Sequence, residues 1–336
     1  MFLFRDLSKV SAAAAALASA LLLTACGGGE QKETFQPTRI IALGDENSLI
    51  VSGTGRQYTL NNTVVSAASP TGIACQNNAV WVQYVAADYG LPFAECGGAA
   101  TERTNALMRA TNGGTVATVQ AAINTINASA APINSNDLVT MMVGTHDLLE
   151  IMGTNLNPTA AQLSAMGDQA EARGVAAGGL VQQIVARGAR ILFTTIPDLG
   201  TAPIAVTGYT NGGYNPAALH ELSFRFIEGL NLGSVLPNGG GRNGAVLQVD
   251  SLINVYRNNA DQYTSFTNRI APACTTGSGT TLAIMDDAAL PTDCIATSTT
   301  DTTRLYYLWS GRVQFGTYTH GLLGQEAVAR IRANPL

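Results

Sequence analysis

Lysine is almost missing from this chain: of 336 residues only Lys9 and Lys32 are lysines, and Lys32 alone lies beyond position 25. Without a basic run to neutralise phosphates or anionic headgroups, nucleic acid is excluded as an expected partner. Long apolar stretches are missing too. The Ala/Leu-rich run from Val10 to Leu23 falls short of the roughly 20 residues that a membrane-spanning helix requires. No cysteines stand in a close CxxC pair and no histidine neighbours one, which argues against a bound metal. No repeat or low-complexity stretch divides the chain, and no motif implies a cofactor.

What is present begins with an export signal. Arg5 and Lys9 precede the uncharged run, which ends in Leu23-Thr24-Ala25-Cys26. This order of charge, apolar run and small residues is that of a secretory signal. Its last four residues resemble the lipobox cut by lipoprotein signal peptidase. The expectation is therefore a signal over 1–25, a lipid on Cys26, and a flexible Gly-rich then polar tether over 26–38 that ends just past Pro37. Gly27, rather than aspartate, follows the lipidated cysteine, which in lipoproteins implies sorting to the outer membrane. Cleavage removes two of the 18 basic and one of the 23 acidic side chains, leaving a net charge of about −6. About 300 residues remain, enough for one large α/β domain over 39–336.

Four cysteines then remain, Cys75, Cys96, Cys274 and Cys294, an even number in an exported chain. Disulfides are expected. Of the three connectivities, Cys75 with Cys96 and Cys274 with Cys294 is favoured, because each closes a short loop.

Short apolar runs at 39–43, 137–143, 190–195 and 245–249 read as buried strands. Between and after them, 78–89, 115–128, 159–186, 216–230 and 321–332 carry apolar residues at helical spacing. Gly174, Gly178 and Gly179 should weaken or bend the third of these helices. Strands alternating with helices predict a mainly parallel sheet covered on both faces, a three-layer α/β/α sandwich. Trp81 and Trp309 are expected in its core.

Several blocks occur in a telling order: Gly44-Asp45 after the first strand, the helix from Val80 to Ala86, and Ala94-Glu95-Cys96-Gly97-Gly98-Ala99. Val143-Gly144-Thr145-His146-Asp147-Leu148 and the segment Ile196 to Pro203 follow. Together they resemble the GDSL, or SGNH, hydrolase family of esterases and lipases, over most of residues 39–330. The resemblance implies a serine nucleophile just after Gly-Asp, oxyanion donors that include a glycine and an asparagine, and a C-terminal Asp-x-x-His. This chain departs from that pattern. Glu46 stands at the nucleophile position, His146 replaces the asparagine, and Ser310 and Val313 occupy the Asp and His places. Gly44, Asp45, Gly97 or Gly98, and Asp147 are retained.

Two readings follow. In the first, a membrane-tethered hydrolase of small or acyl esters uses Ser48 as a relocated nucleophile, His320 as base, and Gly98 with His146 at the oxyanion. In the second, the fold is non-catalytic and its old cleft binds a ligand or an envelope protein. Ser48 alternatively belongs to a helix start formed by residues 45–48, and His320 to a surface helix start. His146 either donates to an oxyanion or bonds Glu46, and Asp45, Glu46, Asp147 and His146 together form an acidic pocket able to take a cation. His220, just before an amphipathic helix, is expected to face solvent or cap it.

Overall fold

Ile40, Ile41, Ala42 and Leu43 are fully buried, as the apolar run demands of a central strand. They belong to β1 (Arg39–Gly44). In the computed structural model β1 pairs in parallel on one side with β2 (Ala106–Met108) and on the other with β3 (Asp137–Met142). β4 (Arg190–Thr194) and β5 (Gly244–Leu247) complete one five-stranded sheet of order β2-β1-β3-β4-β5. Every pairing in it is parallel. The starts of β1 and β3 are tied by Arg39, whose guanidinium donates to both carboxylate oxygens of Asp137 at 2.8 and 2.6 Å. At the β5 edge Arg330 Nε donates to the carbonyl of Val246, blunting an otherwise open strand.

The structure describes residues 35–62, 75, 77–96, 105–206, 213–235, 243–274, 295–296 and 299–333. The chain divides into Met1–Phe35 and Gln36–Leu336, and the fold set out here is that of the second unit. The expected signal, Cys26 and nearly all of the tether lie outside the described residues. Among the described residues no helix is long and apolar enough to cross a membrane.

Among the described residues, seven helices of eight residues or more connect and flank the strands: α1 (Trp81–Asp88), α2 (Val116–Asn127), α3 (Thr145–Met152), α4 (Ala160–Ala186), α5 (Pro216–Gly233), α6 (Val249–Asn258) and α7 (Thr317–Ala333). α2 to α5 pack together as one layer, and α1 packs with α7 as another. This is the three-layer sandwich that the sequence pattern predicts. Among the elements of this sandwich, the short edge strand β2 and helices α3 and α6 were not read from sequence.

The glycines expected to weaken or bend the long helix do not interrupt it. α4 runs unbroken for 27 residues, because its glycines serve close approach rather than flexibility. A Cβ on Gly174 would stand 2.1 Å from the carbonyl oxygen of Phe226, and one on Gly178 2.3 Å from the backbone of Gly233. On α5, Gly229 and Gly233 meet the α4 backbone just as tightly. Four glycines thus let two helices touch main chain to main chain, and the packing they allow offsets their poor helix propensity.

Two parallel pairs stand outside the main sheet, Asn61–Asn62 with Ile295–Ala296 and Asn268–Pro272 with Tyr307–Trp309. Cys75 and Cys96 are joined by a disulfide, with Cα atoms 5.3 Å apart. Cys274 is also disulfide-bonded; Cys294, its expected partner, lies outside the described residues.

Candidate functional site

The site grows from the carboxyl ends of β1 and β3, where the strand order reverses and open α/β sheets form their crevice. Gly44 pairs with Met142 in the last register position. It has φ of +127°, and a Cβ there would lie 1.9 Å from the Met142 carbonyl oxygen, so only glycine fits. The turn it permits throws the next four residues inward. Asp45 caps the short 3-10 helix Glu46–Ser48, its Oδ1 accepting from the amide of Asn47 at 3.0 Å. Residues 45–48 therefore do form a helix start, with Asp45 rather than Ser48 as its cap.

Glu46, at the expected nucleophile position, is fully buried. Both of its carboxylate oxygens lie 2.8 Å from His146 Nε2. Gln314 Nε2 donates to Oε1 at 2.9 Å, and the amide of Gly113 donates to Oε2 at 3.1 Å. Burial works to raise the Glu46 pKa, but the charge of His146 and its hydrogen bond, with help from Gln314, outweigh it and hold the carboxyl below its usual range. Asp45, also fully buried, goes the other way. Burial first and the adjacent Glu46 charge second push its pKa up to about 8, against a lowering by His146. At neutral pH, Glu46 carries the negative charge opposite His146 and Asp45 keeps its proton. Asp45 Oδ2 has no hydrogen-bond partner among the described residues, as suits a neutral carboxyl.

The cluster is sealed by a turn. Trp309 and Phe315 bridge antiparallel, and the amides of Ser310 and Gly311 both donate to the Gln314 carbonyl. Ser310, Val313, Gln314 and Phe315 are fully buried. The amide of Phe315 donates to Asn47 Oδ1 at 2.9 Å, and Ser310 Oγ donates to the carbonyl of Tyr58. The segment expected to supply an acid and a base instead inserts an amide side chain beneath Glu46 and packs an aromatic ring behind it.

The relocated Ser48–His320 pair is corrected. Ser48 is fully buried, and its Oγ accepts from Trp81 Nε1 at 3.1 Å, which makes it the polar anchor of a core tryptophan. His320 is not a surface residue. It sits fully buried in α7, edge-on to the Phe315 ring at 5.8 Å, and neither ring nitrogen has a hydrogen-bond partner among the described residues. Burial pushes its pKa down to about 3, so the ring is neutral. Ser48 and His320 are thus not hydrogen-bonded to each other in this structure.

Asp147 is structural. Its Oδ2 accepts from the amide of Val116 at the start of α2, and Oδ1 pairs with Arg173 at 3.3 Å. Burial raises its pKa to about 6, opposed by those two contacts. His220 faces solvent as expected, although it lies inside α5 rather than before it, and its Nδ1 is 2.8 Å from Asp198 Oδ2. Gly97 and Gly98 lie outside the described residues. Among the described residues no group of three or more His, Cys, Asp or Glu side chains is placed to hold a metal ion; of the four residues of the acidic pocket, Glu46 and His146 bond each other, while Asp147 is turned to Val116 and Arg173. Sequence reasoning missed Gln314 and Asn47. The available signal was that Gln314 immediately follows Val313 in the histidine place, and that Asn47 adjoins Glu46.

No family model matches the chain. No curated protein matches it either. Among solved structures, the lipase/acylhydrolase from Enterococcus faecalis aligns with 88% of this chain and 96% of its own at 14% identity, with a TM-score of 0.36.

Proposed function

We propose that this chain is a non-catalytic relative of the GDSL, or SGNH, hydrolases, held at the outer membrane by lipid on Cys26, whose folded domain acts by binding a ligand or an envelope protein. One observation carries the reading: the nucleophile position is occupied by a buried carboxylate, Glu46, saturated by His146, Gln314 and Gly113. Ester hydrolysis by the family's route requires a hydroxyl within reach of both a base and the substrate. Here the hydroxyl of Ser48 is buried and accepts from Trp81, and the nearby turn supplies an amide where a base is needed. The order of the sequence blocks and the strand order support the kinship, and the departures at 46, 146, 310 and 313 support the loss of chemistry.

Purified protein is expected neither to turn over short p-nitrophenyl esters nor to be labelled by a fluorophosphonate. Esterase activity that disappears in Ser48→Ala would overturn this reading in favour of a remodelled hydrolase. The anchor is tested separately: metabolic palmitate labelling is expected in the wild-type chain and lost in Cys26→Ala.

A further inference from the structure

The disulfide between Cys75 and Cys96 has a cavity on one side and a pair of amides on the other. Cys75 is 3% exposed, whereas Cys96 is only partly buried and lines a cavity of about 460 Å³ between α1 and the segment that follows it. Of the two sulfurs, only that of Cys96 belongs to a residue on the cavity wall. The other described residues of that wall, Tyr84, Leu91 and Phe93 among them, are uncharged. A thiolate therefore approaches Cys96 without meeting a carboxylate there, and Cys75 is shielded from it.

On the inner side two glutamines face the sulfurs. Gln83 Oε1 accepts from the amide of Val80 and from Gln57 Nε2, each at 2.7 Å, which fixes the end of its amide that donates. Gln83 Nε2 then donates to Cys96 Sγ at 2.9 Å. Gln57, fully buried, donates through Nε2 to the Cys75 carbonyl at 3.0 Å and to Cys75 Sγ at 3.3 Å. A disulfide sulfur is a weak acceptor and a thiolate a strong one, so these N–H groups gain most once the bond opens. Access at one sulfur and a donor at each favour exchange.

The fold has ties that outlast the bond. α1 is anchored independently by Trp81 Nε1 on Ser48 Oγ and by the Tyr84 ring, against which a Cβ on Gly324 of α7 would lie at 2.4 Å. Cutting the disulfide releases the turn Ala94–Cys96 from Cys75 and leaves α1 held.

We propose that this disulfide is a redox modification site, opened by a dithiol that attacks Cys96 through the cavity while Gln57 and Gln83 hold the departing thiolates. The dithiol's thiolate bonds Cys96 Sγ, the bond to Cys75 Sγ breaks, and Cys75 leaves with the electron pair. The reagent's second thiol then attacks its own bound sulfur and expels Cys96. The dithiol loses two electrons and two protons, becoming a disulfide, and the two cysteines gain them as thiols. The inference does not rest on the loss of hydrolase chemistry at Glu46, and either can fail without the other.

The test exposes the purified, oxidised full chain to dithiothreitol without denaturant, alkylates the thiols released and locates them by mass spectrometry. Reduction of Cys75 and Cys96 is expected at a rate proportional to dithiothreitol concentration, and the monothiol mercaptoethanol is expected to leave its adduct on Cys96. Gln83→Leu should slow reduction about tenfold, as loss of one hydrogen bond to a charged sulfur implies. Ala87→Trp, at an exposed position of α1 on the cavity wall, should slow it as well, which keeps the proposal testable where Gln83→Leu fails to fold. A bond that dithiothreitol leaves intact in the folded protein would overturn it. So would an adduct on Cys75, a rate that levels off with concentration because unfolding must come first, or equal rates in wild type and both variants.

Discussion

Replacing His320 with leucine should change the acid stability of this protein in a way that can be worked out beforehand. The imidazole is fully buried, faces the Phe315 ring, and has no hydrogen-bond partner among the described residues. Its folded-state pKa is about 3, against 6.5 for the free group. Below pH 6.5 the unfolded chain takes up a proton here that the native state refuses, so stability is complete above pH 6.5 and falls with pH until about pH 3. At 1.36 kcal/mol per unit of difference, the loss is about 2 kcal/mol by pH 5 and about 3 kcal/mol by pH 4. Asp45 and Asp147 have raised pKa values and act with the opposite sign, because native carboxyls that keep their protons are favoured as pH falls. They flatten the wild-type profile but cancel in a comparison of wild type with His320→Leu. Urea unfolding of both at pH 8 and pH 5 is the assay. The variant is expected to gain about 2 kcal/mol relative to wild type over that interval. Parallel pH profiles for the two proteins would refute the reasoning, since they would mean that His320 finds a proton partner in the native state.

Three further outcomes are expected. Gln314→Leu removes a hydrogen bond to the buried Glu46 carboxylate and should cost about 1.5 to 3 kcal/mol in urea midpoint experiments. Gly178→Leu forces a side chain into the Gly233 backbone 2.3 Å away, and should cost about 3 kcal/mol or more, whereas Gly179→Ala, which meets nothing within 4 Å, should be neutral or slightly stabilising in thermal unfolding. Replacing Cys75 and Cys96 together with serine opens a loop of sequence separation 21 and should lower stability by about 3 kcal/mol, read from chemical denaturation.

The three-layer fold was legible in the sequence because burial on both faces forces strands such as 39–43 and 137–143 to be continuously apolar, while amphipathic helices keep their 3.6-residue period. Only local chemistry is needed for that. The short β2 was not legible: three residues carry too little pattern, and its place follows from pairing with β1. α3 and α6 were hidden for a related reason, their eight and ten residues lying directly behind strands whose apolar runs masked the change of period. The glycines of α4 were misread because propensity is a property of one helix, whereas close approach is a property of two.

At the site, the sequence by itself placed Glu46, His146, Ser310 and Val313 where the resemblance to the GDSL hydrolases implies a nucleophile, an oxyanion asparagine and an acid/base pair, and gave Glu46 and His146 as bonding partners if the strands are neighbours. Two matters were decided only by tertiary structure. One is which of the remaining polar groups are accessible: Ser48 and His320 look like chemistry in the sequence and are core residues in the fold. The other is that Gln314, distant by 268 positions, is delivered onto Glu46 by a turn that closes the cleft. Burial and long-range hydrogen bonds depend on what the rest of the chain places around a residue, and no local pattern encodes that.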